Sequence, residues 1–338
     1  MTHHHAIASR SAAALAVLAL AGCQRRPEAP PAGAPAPPPR TKAAAGAPAV
    51  PKDLIVFCRG ERLFTIALDG SGERALETGD AICAAPSWTP TQPRRVLYVS
   101  SAPASAGSGS GLEPLQCEIR ESDLVEGRSK VVVPAWPGPA GSEVSFWDLG
   151  RPQVCPATGR IAFVRTGGPQ ARPVVCVLPA RGAKPKEVLK GADFDVVAAK
   201  GGDVAWVVTS TPEEPVRYGL RRAPLKPGAA GAELLPPSSV YLSHPVCSPD
   251  GQQVVYVEGD EPFLGDRLQI MGASGGPETL YVTEGPSLDW PTWSPDGKWI
   301  AFVRGSPATG SDICLLNVTQ PEAEPTVLTE GSQPAWYR

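Results

Sequence analysis

The sequence is poor in histidine, methionine and aromatic residues, and it carries no excess of positive charge. It contains four His, two Met and 6% aromatic residues, and three of the His lie at positions 3–5. A Ser-His-Asp site could therefore use only His244, and a histidine-rich zinc site cannot be built. A net charge of -3 without a basic stripe argues against a nucleic-acid partner.

Several catalytic motifs are also missing. The chain has no Walker-type loop and no Cys-x-x-Cys pair. Gly272-Ala273-Ser274-Gly275-Gly276 fits the pattern Gly-x-Ser-x-Gly, but it lies between two short strand-like runs. A nucleophile elbow needs a strand-to-helix turn, so this segment predicts a hairpin turn instead.

Proline and glycine, by contrast, are abundant, with 40 Pro and 35 Gly in 338 residues. Much of the proline lies in residues 24–51, an Ala/Pro-rich stretch that favours extended chain and cannot bury a core. We expect residues 23–52 to form a disordered tether. The remaining Pro and Gly punctuate turns in residues 53–338, which we expect to form one folded domain.

The N-terminus has the composition of a targeting segment. Arg10 precedes a short apolar run, residues 11–22, that is too short to span a bilayer. The run ends in Leu20-Ala21-Gly22-Cys23, which resembles the bacterial lipobox. The resemblance implies that residues 1–22 are a cleaved signal peptide and that Cys23 is the lipid attachment site. An ordinary secretory signal with a chance Cys is the alternative.

One strand-turn-strand unit recurs along the chain. Its clearest copies are Trp290–Arg304 and His244–Glu258, which share the turn Ser-Pro-Asp-Gly followed by a β-branched and aromatic run. Six such second strands can be counted, about 48 residues apart, which is the length of a four-stranded propeller blade. The residues expected to shape the turns and first strands are Pro249, Asp250, Gly251, Pro295, Asp296, Gly297, Trp88, Trp293 and Trp336.

The two ends of the repeat region complement each other. Leu54 begins a second strand that lacks its first, and the chain stops at Trp336-Tyr337-Arg338 in a first strand that lacks its turn. We therefore expect an all-β, six-bladed propeller of four-stranded antiparallel blades. The C-terminal strand would close the ring by joining the three N-terminal strands, which removes two exposed sheet edges.

The pattern Pro-x-Trp-Ser-Pro-Asp-Gly-x-x-Ile-Ala-Phe-Val resembles the PD40 (WD40-like) repeat of TolB-like six-bladed β-propellers. It is clearest at Pro291–Val303, and Pro245–Val257 follows it with Cys247 in the Trp position. The resemblance covers residues 53–338. It implies a propeller that binds other proteins of the bacterial cell envelope.

Acidic residues and the one remaining His stand just before the Pro-x-Trp positions. We expect Asp80, Glu143, Asp195, His244 and Asp289 to lie near the starts of the innermost strands, which line the central channel. A hydrated polar channel is the simpler interpretation. The alternative is a calcium site, because Ca²⁺ prefers oxygen ligands.

Seven cysteines remain after Cys23, which allows at most three disulfides and one free thiol. We expect most of them to be structural.

Long irregular segments, residues 101–114 and 134–143, should share one face of the ring, where binding usually resides. Trp136, Phe146, Trp147 and Phe263 are the aromatic candidates for contact with a partner. The alternative for Trp136 is packing onto the ring beside Trp147.

Together these features predict a non-catalytic, lipid-anchored binding or scaffolding module of the bacterial cell envelope, without a required cofactor. Gln24 in place of Asp favours the outer membrane, with the ring facing the periplasm. The partners would be the membrane, through Cys23, and an envelope protein. The alternatives are a calcium-dependent propeller hydrolase or lactonase, and a sensor that binds a sugar or peptide.

Overall fold

The fold is an all-β propeller of six blades. The structure, a computed structural model, describes residues 54–79, 81–89, 95–101, 117–135, 147–167, 172–211, 215–260, 264–272, 274–306 and 310–337. Within these ranges the chain forms 24 strands in six four-stranded sheets, and every strand pair in them is antiparallel. The predicted fold class is confirmed.

The strands follow one another blade by blade. In blades 1 to 3 they are β1 (Leu54–Arg59), β2 (Arg62–Ala67), β3 (Arg74–Ala75), β4 (Ile82–Trp88), β5 (Arg95–Ser101), β6 (Cys117–Asp123), β7 (Arg128–Val133), β8 (Trp147–Val154), β9 (Ile161–Gly167), β10 (Val174–Leu178) and β11 (Lys186–Lys190). In blades 4 to 6 they are β12 (Asp193–Ala199), β13 (Gly202–Ser210), β14 (Tyr218–Pro224), β15 (Ala232–Ser238), β16 (Tyr241–Cys247), β17 (Gln253–Gly259), β18 (Arg267–Gly272), β19 (Gly275–Val282), β20 (Ser287–Trp293), β21 (Trp299–Ser306), β22 (Gly310–Asn317) and β23 (Thr326–Glu330).

The last strand, β24 (Ser332–Trp336), closes the ring by joining blade 1. It pairs with β1 through Ile55↔Trp336 and Val56↔Ala335, so the sheet order is β24-β1-β2-β3. Arg59 of β1 reinforces the closure, since its guanidinium donates to the Thr329 hydroxyl at 2.6 Å and to the Glu330 carbonyl at 3.0 Å on blade 6. The predicted closure is confirmed.

The hydrophobic core lies between the blades. Each cluster of buried side chains draws on two neighbouring sheets, as when Trp206 of blade 4 packs with Tyr256 of blade 5. Trp293 and Phe302 of blade 6 likewise share a cluster with Val255 of blade 5. Full burial of one such side chain contributes about 1.5–3 kcal/mol, so the blade contacts stabilise the ring strongly.

A bulge recurs in the innermost strands. Ala85, Arg151, His244, Trp290 and Gln333 all have φ between 43° and 52°, and each is followed by Pro. At each of these places the pairing advances by three residues along the inner strand and by two along its neighbour. The inner strand of blade 4 lacks the bulge and pairs in regular register, so a single residue, Asp195, stands where the other blades have the X-Pro dipeptide.

Side chains connect every inner strand to the next one around the ring. Three of these donors and acceptors follow the bulge proline directly. Ser87 donates to the Pro152 carbonyl, Gln153 bonds both Phe194 O and Val196 N at 3.2 Å, and Thr292 accepts from Trp336 N at 3.3 Å. At the other junctions, Asp195 accepts from Cys247 N, Trp293 Nε1 donates to Val246 O, and the Gln333 side chain accepts from Ala85 N.

The Ser-Pro-Asp-Gly turns are organised by their own carboxylates. The Ser248 hydroxyl donates to Asp250 and accepts from Gln253 N, and Ser294 does the same with Asp296 and Trp299 N. These hydrogen bonds stabilise the charged form, so they lower the pKa of Asp250 and Asp296. Gly251 and Gly297 take φ near 70°, the conformation that the turn requires of glycine.

Blade 3 has lost this carboxylate, and blade 4 supplies one in its place. The turn after β8 reads Pro156-Ala157-Thr158-Gly159. Asp203 at the start of β13, with its side chain 0% exposed, accepts from Ala157 N at 2.8 Å and from the Thr158 hydroxyl at 2.5 Å. A carboxylate from the next blade thus fixes the turn and joins the two blades.

Replacing Asp203 with Ala should lower the free energy of unfolding by about 2 kcal/mol, because two hydrogen bonds to a fully buried carboxylate are lost together with the packing of that side chain. Urea denaturation followed by tryptophan fluorescence would measure it. Asp296→Ala, which removes an exposed turn carboxylate, is the matched control and should cost less. Equal losses in the two variants would contradict the inter-blade role of Asp203.

Candidate functional site

The inner strands define two ends of the central channel. They begin at the face that also holds the β5–β6 and blade-to-blade connections, here called the loop face. They end at the face formed by the Ser-Pro-Asp-Gly turns, here called the turn face, where Leu54 also begins β1. Every functional side chain below belongs to an inner strand, so the ring fixes its height in the channel.

Three of the five predicted channel residues lie within the described ranges: Asp195, His244 and Asp289. Asp80 and Glu143 lie outside them, as do Cys23 and the partner candidates Trp136, Phe146 and Phe263. Trp147 is the first residue of β8, but its side chain is outside the description. The binding roles of these residues stay predictions.

His244 and Asp289 come together with three further side chains, Arg151, Asp193 and Trp290, in what we call the mouth cluster. His244 Nδ1 lies 2.5 Å from Asp289 Oδ1, and its Nε2 lies 3.8 Å from Asp193 Oδ2. The His244 and Trp290 rings have centroids 4.3 Å apart. Arg151 Nη1 is 3.0 Å from Asp193 Oδ1. The cluster unites blades 3, 4, 5 and 6.

The side chains of Arg151 and Trp290 meet across the channel. Blades 3 and 6 are three places apart in a ring of six, so their inner strands face each other across the axis. The Arg151 guanidinium nevertheless lies over the Trp290 ring, 5.6 Å from its centroid, and its Nη1 is 3.5 Å from the Pro245 carbonyl of blade 5. A guanidinium held by a carboxylate and an aromatic ring is a stable arrangement. The channel is therefore bridged at the level of the bulges.

Asp195 lies on the other side of this bridge. Its carboxylate accepts from Cys247 N at 2.6 Å, and the residue is 4% exposed. It lines a cavity of about 330 Å³ that extends to the turn-face residues Pro249 and Pro295. Asp195 lines this cavity and Asp289 belongs to the mouth cluster, while Asp80 and Glu143 lie outside the described residues, so the ring of channel carboxylates stays a prediction.

Sequence reasoning missed Arg151, Asp193 and Trp290. A signal for two of them was available, because Arg151-Pro152 and Trp290-Pro291 repeat the position of His244-Pro245 in their units. Asp193 gave no such signal. Its role depends on the fold, which brings its carboxylate to His244 N at 2.7 Å as well as to Arg151.

The mouth cluster has a buried and an exposed side. Arg151 and Asp193 side chains are 13% and 11% exposed, whereas that of Asp289 is 42% exposed. Tyr241 beneath the cluster is buried, and this burial, with the nearby charges of Asp289 and Asp193, raises the pKa of its phenol. The cluster presents a carboxylate, an imidazole and an indole, a combination suited to binding a polar surface.

No group of three or more His, Cys, Asp and Glu side chains in the described ranges is arranged to hold a metal ion. In the same part of the chain, no helix is long and apolar enough to cross a membrane. Ser274 lies exposed in the connection between β18 and β19, as expected for a hairpin turn.

None of the seven cysteines at positions 58–314 forms a disulfide and all are buried, in agreement with a structural role. Burial raises the pKa of Cys83 and Cys176 to about 11 and that of Cys155 to about 12. These thiols are therefore protonated near neutral pH and are poor nucleophiles.

Alkaline pH should weaken the ring through these thiols. Their pKa is raised in the folded state above the reference value of 9.0. Above that value the unfolded chain loses protons that the folded chain keeps, so the free energy of unfolding falls as pH rises. Urea denaturation between about pH 8 and pH 10 would measure the slope. A variant with Cys83, Cys155 and Cys176 changed to Ala should show a shallower slope, and an unchanged slope would contradict this cause.

Removing the bridge should destabilise the ring. In Arg151→Met the carboxylate of Asp193 loses its cation, at a cost of about 3 kcal/mol for a largely buried pair. Arg128→Met is the control, because Arg128 and Glu126 side chains are 84% and 60% exposed and such pairs contribute roughly 0–1 kcal/mol. Thermal unfolding of both variants would test it. A loss no greater for Arg151→Met than for Arg128→Met would contradict the role of the bridge.

Comparisons with known proteins identify the fold. No known protein-family profile matches the chain, and no curated protein matches it in sequence. Among solved structures, TolB from Acinetobacter baumannii matches with a TM-score of 0.58 and 16% identity over 84% of this chain and 66% of that protein. A putative TolB from Agrobacterium tumefaciens matches with a TM-score of 0.55 and 12% identity over 83% of this chain and 90% of that one.

The solved structures of similar fold also include enzymes. One of two analysed prolyl endopeptidases matches with a TM-score of 0.50 and 17% identity, over 79% of this chain but 38% of that protein. Identities this low show the fold and not the activity. The chain is therefore a six-bladed β-propeller with the fold of TolB proteins, as its repeats predicted.

Proposed function

We propose that this chain is a non-catalytic binding module of the bacterial cell envelope, which docks a partner protein on its loop face. The single observation that supports this most is the mouth cluster. Four blades each contribute side chains to it, and its exposed carboxylate, Asp289, lies on the loop-face side of the Arg151 bridge. A rigid ring that presents charged and aromatic groups together is a preorganised docking surface.

The surroundings of the cluster favour a large partner. The connections 102–116 and 136–146 leave and re-enter the ring at the loop face. The second of them carries Trp136, and Trp147 follows at the start of β8. Loops on a rigid scaffold are the usual place for protein contacts, and aromatic residues are enriched at the centre of interfaces.

The surroundings of the cysteine thiols and of His244 favour binding over catalysis. The thiols are buried and protonated. His244, the one histidine after residue 22, is engaged with two carboxylates and an indole. This arrangement differs from a nucleophile-base pair, in which the imidazole contacts a hydroxyl or thiol.

Location in the envelope rests on the N-terminal sequence. Leu20-Ala21-Gly22-Cys23 supports lipid attachment at Cys23, and the Ala/Pro-rich stretch 24–51 would hold the ring away from the membrane. The tether reaches the ring at the turn face, where Leu54 begins β1. The loop face, at the far end of the channel, would then be free for a partner.

Site-specific photocrosslinking would test the docking face. A benzophenone amino acid at Glu284, exposed beside the start of β20, should give a discrete crosslinked product in intact cells. The same group at Gln252, exposed in a turn of blade 5, is the matched control on the turn face. Asp289→Ala combined with Trp290→Ala should reduce the Glu284 product roughly tenfold, as for a central contact worth more than 1 kcal/mol.

Crosslinking at Gln252 alone would move the partner to the turn face and contradict the proposal. A Glu284 product that persists unchanged in the Asp289 and Trp290 variant would show that the mouth cluster is not the contact. Circular dichroism of the purified variant would confirm that the ring is intact.

A further inference from the structure

The Arg151 bridge leaves a second site in the channel, a pocket that opens on the turn face. Arg151 and Trp290 form its inner end, and Ser248 to Gly251 with Pro295 form its rim. The volume of about 330 Å³ lies at the lower end of the roughly 300–1,000 Å³ typical of small-molecule sites. The pocket is separated by the bridge from the mouth cluster and shares only the bridge residues with it.

The wall of the pocket is mostly apolar. The bulge prolines Pro86, Pro152, Pro291 and Pro334 surround it. The neutral polar side chains between them already have hydrogen-bond partners, because Ser87, Gln153 and Thr292 bond the backbone of the neighbouring blades. A ligand therefore meets hydrocarbon over most of its surface, which favours a compact apolar body.

The charged groups in the pocket wall determine whether a positively or a negatively charged ligand is favoured. Asp195 stands in the wall, where it is buried and accepts from the N–H of Cys247, three residues before the rim carboxylate Asp250. It occupies the place that the X-Pro dipeptide takes in the other five blades, so the ring of prolines is interrupted at one carboxylate. Among the described residues of the wall, the one cation is Arg151, which is held by Asp193.

We propose that this turn-face pocket binds a small organic monocation, an amine or guanidinium on an apolar body, with the charged group directed to Asp195. A buried carboxylate attracts a cation more strongly than an exposed one, because water screens it less. A charge-assisted hydrogen bond there contributes about 1.5–3 kcal/mol, which corresponds to roughly tenfold or more in affinity. An anion of the same shape meets two carboxylates and is excluded.

Three probes of one shape would test the proposal on the full-length protein. They are 2-phenylethylamine, the neutral 2-phenylethanol and the anion phenylacetate, each followed by saturation-transfer NMR and isothermal titration calorimetry. The amine should bind at least tenfold more tightly than the alcohol, and phenylacetate should not bind.

Two variants and a control locate the binding. Asp195→Asn should weaken the amine roughly tenfold and leave the alcohol unchanged, since Asn can still accept from Cys247 N. Ala198→Trp fills the pocket from an exposed position in its wall and should abolish binding of both. Asp69→Asn, in an exposed turn remote from the channel, should change nothing.

Equal affinity for the amine and the alcohol would overturn the assignment of a cation site, and so would binding that survives Ala198→Trp. Failure of all three probes to bind would overturn it as well. The Ala198→Trp variant keeps the test valid if Asp195→Asn does not fold. None of these outcomes bears on the loop face, because Glu284 crosslinking reports on the opposite end of the channel.

Discussion

The free inner edge of each blade is the constraint on which this ring depends. The innermost strand pairs with only one strand of its own sheet, so its other edge offers backbone groups that need partners. Side chains of the neighbouring blade supply them at every junction, as Gln153 does for Phe194 O and Val196 N. The bulge proline removes one N–H from this edge, which reduces the number of donors that must be satisfied.

The same bulge builds both ends of the channel. It places Arg151, His244 and Trp290 at one level with positive φ, and their side chains meet there because their strands surround one axis. Blade 4, which lacks the bulge, contributes two carboxylates instead. Asp193 joins the mouth cluster, and Asp195 lies in the wall of the turn-face pocket. The one blade without the bulge thus contributes a carboxylate to each half of the channel.

Away from the channel, too, a contact that one blade lacks is supplied by the neighbouring blade. Blade 3 has no turn carboxylate, and Asp203 of blade 4 takes its place. Glu121 of blade 2, nearly fully buried, is held by Lys130 of its own blade and by Arg181 of blade 3. These contacts explain how a sequence with a degraded repeat still closes as a ring of six, since the interaction that one unit lost was restored across an interface.

The sequence by itself determined the number of blades, their strands and the closure of the ring. Those features depend on short-range signals, such as the continuous run of buried apolar residues Ile300–Val303 and the Ser-Pro-Asp-Gly turn before it. It also indicated His244 and Asp289 as channel residues. Only the tertiary structure decided that Arg151 and Trp290 meet across the channel, that Asp193 joins them, and that Asp195 lines the turn-face pocket. Residues 151 and 290 are far apart in the chain and meet only because ring closure sets blades 3 and 6 opposite each other, a geometry that no local pattern encodes.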